Sequence, residues 1–300
     1  MVNLSVKIGS VTLQNPVMPG SGTLSEEMAK AVDLDEFGAI VAKSIRLDIR
    51  DGTPPPRIFE MENSLLMNVG IPSKGPAHFV EHAVSFYSQF KPPFVVSLSG
   101  DCIEDYVKLA EALNVDGVDV LEVNLSCPNL NSDGVIFGTD PKASEEVIRR
   151  VRRVTNLPVW AKLTANAGDV PGVARAVEAG GADAVIVANA LLAMAIDIKT
   201  HRPRMGGVTG AVVGAPFKPV IMRMVYHSAK VVRIPIIATG GVERAEDIVE
   251  YMIAGASAVQ VGTASFKSAN AIPRLIDGLH DYCEQNAIEN LADLIGTVRE

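Results

Sequence analysis

The run Glu122-Val123-Asn124-Leu125-Ser126-Cys127-Pro128-Asn129 sets a thiol between two carboxamides at the end of an apolar stretch. A thiolate accepts protons, and carboxamides both donate and accept hydrogen bonds. Together they suit removal of a proton from a small polar ring that the amides hold in place. Taken alone, Cys127 reads as well as a small buried hydrophobe. Between Asn124 and Asn129 it becomes the candidate general base, which needs direct reach, or one bridging water, to the proton it removes.

Two lysines end other apolar runs, Lys43 in residues 38–43 and Lys162 in residues 157–163. An unpaired ammonium is costly in such a setting, so each head must meet an anion or snorkel to water. Glycine turns follow two further runs, Gly240-Gly241 after residues 234–239 and Gly262-Thr263 at the end of residues 257–262. Glycine lets backbone N–H groups approach an anion closely, and a following helix start adds positive partial charge. These turns are therefore candidate phosphate contacts. The phosphate can belong to FMN, to a phosphorylated substrate or to pyridoxal phosphate. No Gly-rich dinucleotide fingerprint follows an early strand, and no Walker loop is present.

The elements that must carry these groups alternate. Apolar runs at 15–19, 38–43, 93–98, 119–124, 157–163, 183–188, 234–239 and 257–262 read as strands covered on both faces. Helix-like spacing occupies 25–36, 76–90, 103–114, 142–154, 170–180, 216–232 and 243–254. Eight βα units predict an α/β fold, a (β/α)8 TIM barrel, with an open doubly wound sheet as the alternative. Residues 2–7 and 11–14 predict a small N-terminal β-hairpin. No linker divides the chain, so residues 1–300 are expected to form one domain. Segments 44–75, 125–141 and 189–214 read as long loops at the C-terminal face, where a barrel gathers its active site. Within the first, Asp51-Gly-Thr-Pro-Pro-Pro56 reads as a rigid surface turn. Loop 129–141 reads as a mobile lid that Ile136 and Phe137 seal.

Bulk properties narrow the class. The 300 residues are 48% hydrophobic and carry a formal charge of −8, which argues against an electrostatic nucleic-acid binder. No apolar stretch has the length of a membrane span, and the start alternates like a strand rather than a signal peptide. Cys102, Cys127 and Cys283 are too sparse for a disulfide framework or a zinc knuckle. A cytoplasmic enzyme is expected, with no metal site. His78 and His82 read as ordinary helix-surface residues.

The segments Glu122–Asn129, Gly134-Val-Ile-Phe-Gly-Thr-Asp-Pro141, Thr53-Pro-Pro-Pro-Arg57, Met67-Asn68-Val-Gly70 and Asp197-Ile-Lys-Thr200, with both glycine turns, resemble those of class 1B dihydroorotate dehydrogenase catalytic subunits. The resemblance spans almost the whole chain. It implies oxidation of dihydroorotate to orotate in pyrimidine biosynthesis, with Cys127 removing the C5 proton and FMN accepting hydride from C6. It implies substrate contacts from Lys43, Asn68, Asn124, Asn129 and Asn189. It implies FMN contacts from Ser21, Gly22, Lys43, Ser44, Asn124, Lys162, Gly214, Gly240, Gly241, Gly262 and Thr263. It further implies a homodimer and a separate subunit, carrying FAD and a [2Fe–2S] cluster, that passes electrons to NAD.

Five positions depart from that pattern. Ser97 stands for a flavin-facing Asn, Ala165 for Pro, Ala190 for Thr or Ser, and Val213 and Ala215 flank Gly214 in place of Ser and Pro. They touch the half of the pocket that sets substrate choice. An FMN barrel acting on a related dihydropyrimidine or cyclic amide, and a noncatalytic flavin-binding component, are therefore the competing readings.

Overall fold

The computed structural model describes residues 2–126 and 137–299. Cys127, Asn129, Ile136 and loop positions 129–136 lie outside the described residues. Eight parallel strands form the centre: β1 (Val17–Pro19), β2 (Ile40–Val41), β3 (Phe94–Leu98), β4 (Val120–Asn124), β5 (Val159–Thr164), β6 (Ala184–Asn189), β7 (Ile236–Thr239) and β8 (Ala258–Val261). Their spatial order is β1-β8-β7-β6-β5-β4-β3-β2. The ring is completed where the Gly38 N–H donates to the Val17 carbonyl at 2.8 Å. A side chain at Gly38 would collide with the Asn15 carbonyl, so the closure depends on the missing Cβ.

Every residue of β3, β4 and β5 is buried, because helices cover one face and barrel side chains the other. The helices follow their sequence spacing. Pro141–Arg152 buries Ser144, Val147, Ile148 and Val151, an i, i+3, i+4, i+7 stripe. It starts at Asp140, whose side chain accepts from Lys142 N at 2.8 Å, and Pro141 occupies the first turn where no N–H is needed. An antiparallel hairpin, Val6–Ile8 with Val11–Leu13, precedes the barrel as expected, with a shorter first arm.

Several expectations are corrected. Segment 25–36 is not one helix but two single 3-10 turns, Met28–Lys30 and Leu34–Glu36. Asp33 separates them: its backbone is extended, and its side chain caps the second turn by accepting from Asp35 N at 2.9 Å. Loops 44–75 and 189–214 are not structureless. They pair into a four-stranded antiparallel sheet, ordered Leu191–Ala193, Gly210–Val213, Ser64–Met67, Ile58–Met61. Leu66, Met205 and Val212 form its own small core. A 15-residue helix, Ala271–Gln285, follows β8 beyond the helices expected from spacing; Leu275, Ile276, Leu279 and Cys283 lie on its buried face.

The Asp51–Pro56 segment is more than a surface turn. The Pro56 carbonyl accepts from Gly206 N at 2.8 Å, and Thr53 Oγ1 donates to Asn68 Oδ1 at 2.7 Å. Phe137 packs edge-on against Tyr106 with ring centroids 6.0 Å apart, and the remainder of the expected lid lies outside the described residues. Among the described residues no helix is long and apolar enough to cross a membrane.

One charged cluster supports the turn after β7. Lys218 Nζ donates to Asp247 Oδ1 at 2.6 Å, while Glu243 N and Arg244 N donate to Asp247 Oδ2 at 2.9 Å. Burial would raise the Asp247 carboxyl, but these donors outweigh it and hold the group below the ordinary aspartate range. A depressed folded-state value means stabilisation that is present at neutral pH and lost as pH falls through that value. Asp247→Asn should therefore cost about 2 kcal/mol at pH 7. In urea melts repeated at falling pH, the gap between parent and variant should close as the parent carboxyl takes up its proton.

Candidate active site

Side chains alternate along a strand, so Glu122 and Asn124 of β4 share a face, as do Trp160, Lys162 and Thr164 of β5. Lys162 points into the barrel. Its Nζ donates to Gln260 Oε1 of β8 at 2.8 Å and to Ser21 Oγ, after β1, at 3.0 Å. Gln260 Nε2 donates to Glu122 Oε2 at 2.6 Å, and Lys162 Nζ lies 3.6 Å from Glu122 Oε1. Glu122 and Gln260 are fully buried and Lys162 is 4% exposed. Four strand ends thus hold one ammonium opposite one carboxylate, and Glu122 Oε1 has no hydrogen-bond partner. The expected cofactor contacts Ser21 and Lys162 are brought together.

A second chain of contacts runs along the other strand ends. Ser97 Oγ and Ser44 Oγ are 2.8 Å apart, and Asn124 Nδ2 donates to Ser44 Oγ at 3.5 Å. Ser126 Oγ donates to Asn124 Oδ1 at 2.5 Å and accepts from Asn189 Nδ2. Tyr106 Oη holds the Asn124 carbonyl at 2.9 Å. Ser44, Asn124 and Asn189 are therefore one network. Ser97, a departure from the family pattern, is spent on Ser44.

Lys43 is placed by Gly22, whose φ of +87° favours glycine and whose absent Cβ leaves room for the lysine stem; an added Cβ would lie 2.8 Å from Lys43 Cδ. Asn68 belongs to a separate group in the antiparallel sheet, donating to the Thr209 carbonyl at 2.7 Å. Gly241 lies against Lys218, and Gly20 lies against Val261 and Gly262. Gly214 approaches Asn63 and Ser64 of the antiparallel sheet.

A phosphorylated flavin fits these residues. An added Cβ at Gly262 would meet nothing within 4 Å, so bare backbone borders open space there, directly before the short helix Thr263–Lys267. Lys162 places an ammonium at the barrel floor, hydrogen-bonded to Ser21 and Gln260 and 3.6 Å from Glu122 Oε1. Of the described cysteines, Cys102 is exposed and Cys283 buried. Burial pushes the Cys283 thiol up, and partial desolvation beside the Asp105 and Glu104 carboxylates pushes up that of the largely exposed Cys102, leaving neither suited to act as a thiolate at neutral pH. No cluster of three His, Cys, Asp or Glu residues able to hold a metal occurs among the described residues.

A model of the dihydroorotate dehydrogenase family matches residues 3–282. The chain belongs to the dihydroorotate dehydrogenase family. It is 42% identical over 299 residues to the protein from Alkaliphilus metalliredigens named dihydroorotate dehydrogenase B (NAD(+)), catalytic subunit, and the match covers 99% of each chain. Proteins of the same name from Bacteroides fragilis and Thermoanaerobacter sp. strain X514 are 41% and 38% identical, again across 99% of both chains. The crystal structure of the Eimeria tenella dihydroorotate dehydrogenase with ferulenol superimposes with a TM-score of 0.82 at 22% identity. It covers 98% of this chain and 88% of that one, and carries the fold alone.

Within this family's barrel, sequence reading missed Glu122, Gln260, Ser126 and Asn166 as members of the site. Asn166 ties β5 to β6 by accepting from Leu192 N at 2.9 Å and donating to the Ala190 carbonyl at 3.2 Å. A signal existed for the first three. Glu122, Asn124 and Ser126 are polar at every second position of an apolar run, and Gln260 is the lone polar residue of residues 258–261. Period two turns such residues to one face.

The buried pair predicts its own energetics. Removing one partner strands the other charge, at a cost of about 3–5 kcal/mol. Lys162→Met should lose stability of that order in urea unfolding, and adding Glu122→Gln to it should recover most of the loss. If the single and double variants unfold at the same urea concentration, the two groups are not energetically coupled.

Proposed function

We propose that this chain oxidises dihydroorotate to orotate in pyrimidine biosynthesis, as the FMN-bearing catalytic subunit of an NAD-linked enzyme. The observation that carries the reading is the joining of Asn124, Ser126, Asn189 and Ser44 into one neutral hydrogen-bonded wall beside the Lys162 floor. That wall stands in a chain about two-fifths identical, end to end, to named catalytic subunits.

In this reading the carboxamides of Asn68, Asn124, Asn129 and Asn189 orient the ring and its carboxylate, with Lys43 adding charge to the carboxylate side. Cys127 takes the proton from C5. It follows Ser126 directly in sequence, so the tethered end of β4 sets where the thiol-bearing loop begins. Bound FMN supplies the acceptor for the hydride that leaves C6. Ser21, Gly22, Ser44 and Lys162 hold the ring of that cofactor, while Gly214, Gly240, Gly241, Gly262 and Thr263 receive its phosphate.

The names of the relatives call for a second subunit, and FAD with a [2Fe–2S] cluster is assigned to that partner. The outer side of the antiparallel sheet and its adjoining turn exposes Ile58, Leu192, Met194, Ile196 and Ile198, which supports pairing of two catalytic subunits. A cytoplasmic setting and a single barrel domain complete the reading. One observation favours a second substrate: Ala190 gives its N–H to Asn189 Oδ1 at 2.9 Å but has no hydroxyl to add. A dihydropyrimidine lacking the carboxylate, such as dihydrouracil, is the resulting competitor.

Anaerobic addition of dihydroorotate to FMN-loaded protein should bleach the flavin rapidly, with little bleaching by dihydrouracil. Cys127→Ser should slow bleaching by about 10²–10⁴-fold. Equal rates in parent and variant would remove Cys127 as the base. Bleaching by dihydrouracil alone would move the substrate assignment, and none with either compound would leave a flavin-binding component without turnover.

A further inference from the structure

The polarity of the Asn124–Ser126–Asn189 chain is fixed by backbone donors. Ser126 N lies 3.2 Å from one terminal atom of Asn124. A backbone N–H can only donate, so that atom is the oxygen. Ser126 Oγ is 2.5 Å from the same oxygen. Because a carboxamide oxygen carries no hydrogen, the hydroxyl proton must be the one shared. Ser126 Oγ, its single proton spent, can only accept from Asn189, which therefore turns its nitrogen that way. The other end agrees independently, since Ala190 N donates to the remaining Asn189 atom at 2.9 Å, making it the oxygen.

The Asn124 oxygen, accepting from Ser126 N and Ser126 Oγ, has both acceptor sites filled, whereas the Asn189 oxygen has one filled, by Ala190 N. The outward function left to Asn124 is N–H, since its Nδ2 is held only by the 3.5 Å contact to Ser44; Asn189 keeps one N–H as well. Asn124 and Ser126 are buried, at 4% and 9% exposure, so the Asn124 amide has no bulk water available to satisfy a reversed orientation, while Asn189 is half-buried.

We infer that Ser126 is a positioning residue whose hydroxyl fills the second acceptor site of the Asn124 oxygen, leaves N–H as that amide's outward group, and so selects ligands presenting acceptor oxygens over ligands presenting N–H at the same place. It acts through Asn124 and Asn189 and does not itself meet the substrate. The inference rests on the dihydroorotate reading for the identity of the ligand, but the orientation device stands on the protein's own contacts. A site built to donate rejects a donor strongly, because two N–H groups then face each other unpaired.

Two measurements on FMN-loaded protein test it, with Ser126→Ala as the variant. Calorimetric titration compares orotate with orotamide, in which a carboxamide replaces the carboxylate. The parent should prefer orotate, and the ratio of the two dissociation constants should fall by about tenfold in the variant. Nitrogen-15 spectra of the same samples follow the side-chain amide protons of Asn189. Their exchange with solvent should quicken by about tenfold once the Ser126 acceptor is gone.

Equal weakening of both ligands with an unchanged ratio would overturn the inference, since that is what simple loosening produces. So would an Asn189 amide that exchanges at the parental rate. Failure of the parent to bind either ligand would instead overturn the dihydroorotate reading, and the Asn189 exchange rate would still decide the orientation device.

Discussion

Lys162 and Glu122 put opposite charges inside a ring of apolar strands, and the closed barrel is the arrangement that satisfies both. Desolvating each ion costs several kcal/mol, and only good geometry with supporting hydrogen bonds offsets it. Here the support comes from the opposite side of the ring, through Gln260 on β8 and Ser21 after β1. A slip of one residue in β4, β5 or β8 would turn its polar side chain outward toward the helices. Register, closure and the floor of the site are therefore one constraint. The Gly38 contact that completes the ring is its counterpart in the backbone.

Above that floor the site has two kinds of wall. One is made of strand ends and their first turns, where Ser44, Asn124, Ser126 and Asn189 inherit the rigidity of a sheet buried on both faces. The other is the antiparallel sheet assembled from loops 44–75 and 189–214, which brings Asn68 and the Gly214 turn. Thr53, Gly206 and the proline run brace it. Groups on the first wall move only if the barrel deforms. Those on the second depend on long-range pairing between two excursions of the chain.

That difference explains what could be read in advance. The eight strands and most helices were legible because local period and apolarity dictate them, and a parallel barrel is the arrangement that buries such strands on both faces. Lys43, Lys162 and the glycine turns stood out as charges or flexible residues at strand ends. The antiparallel sheet was not legible: Leu66 meets Val212 across nearly half the chain, and short runs such as Leu191–Ala193 carry no signal of their partner. Segment 25–36 had helical spacing, yet the local cap at Asp33 prevailed over it. Ser126 sits between two conspicuous residues of a motif, and its place two residues on from Asn124, just past the end of β4, makes it a link between the amides. Gln260 was hidden for the converse reason, as one polar residue in a strand already assigned to the core.

The balance of charge at the floor also governs how the site can recognise an anion. Lys162 is answered by Glu122, so the floor carries no net formal charge and contributes little attraction at a distance. The chain as a whole is acidic, at −8, and adds none. Recognition of a negatively charged group must then come from short-range directional donors: the Lys43 head placed by Gly22, the unspent N–H groups of the carboxamide wall, and bare backbone at Gly262. Donors of this kind act within hydrogen-bond reach and depend on angle. A pocket assembled from them distinguishes ligands by where their oxygens sit rather than by how much charge they carry, which is why the orientation of two asparagines matters more here than the addition of another lysine.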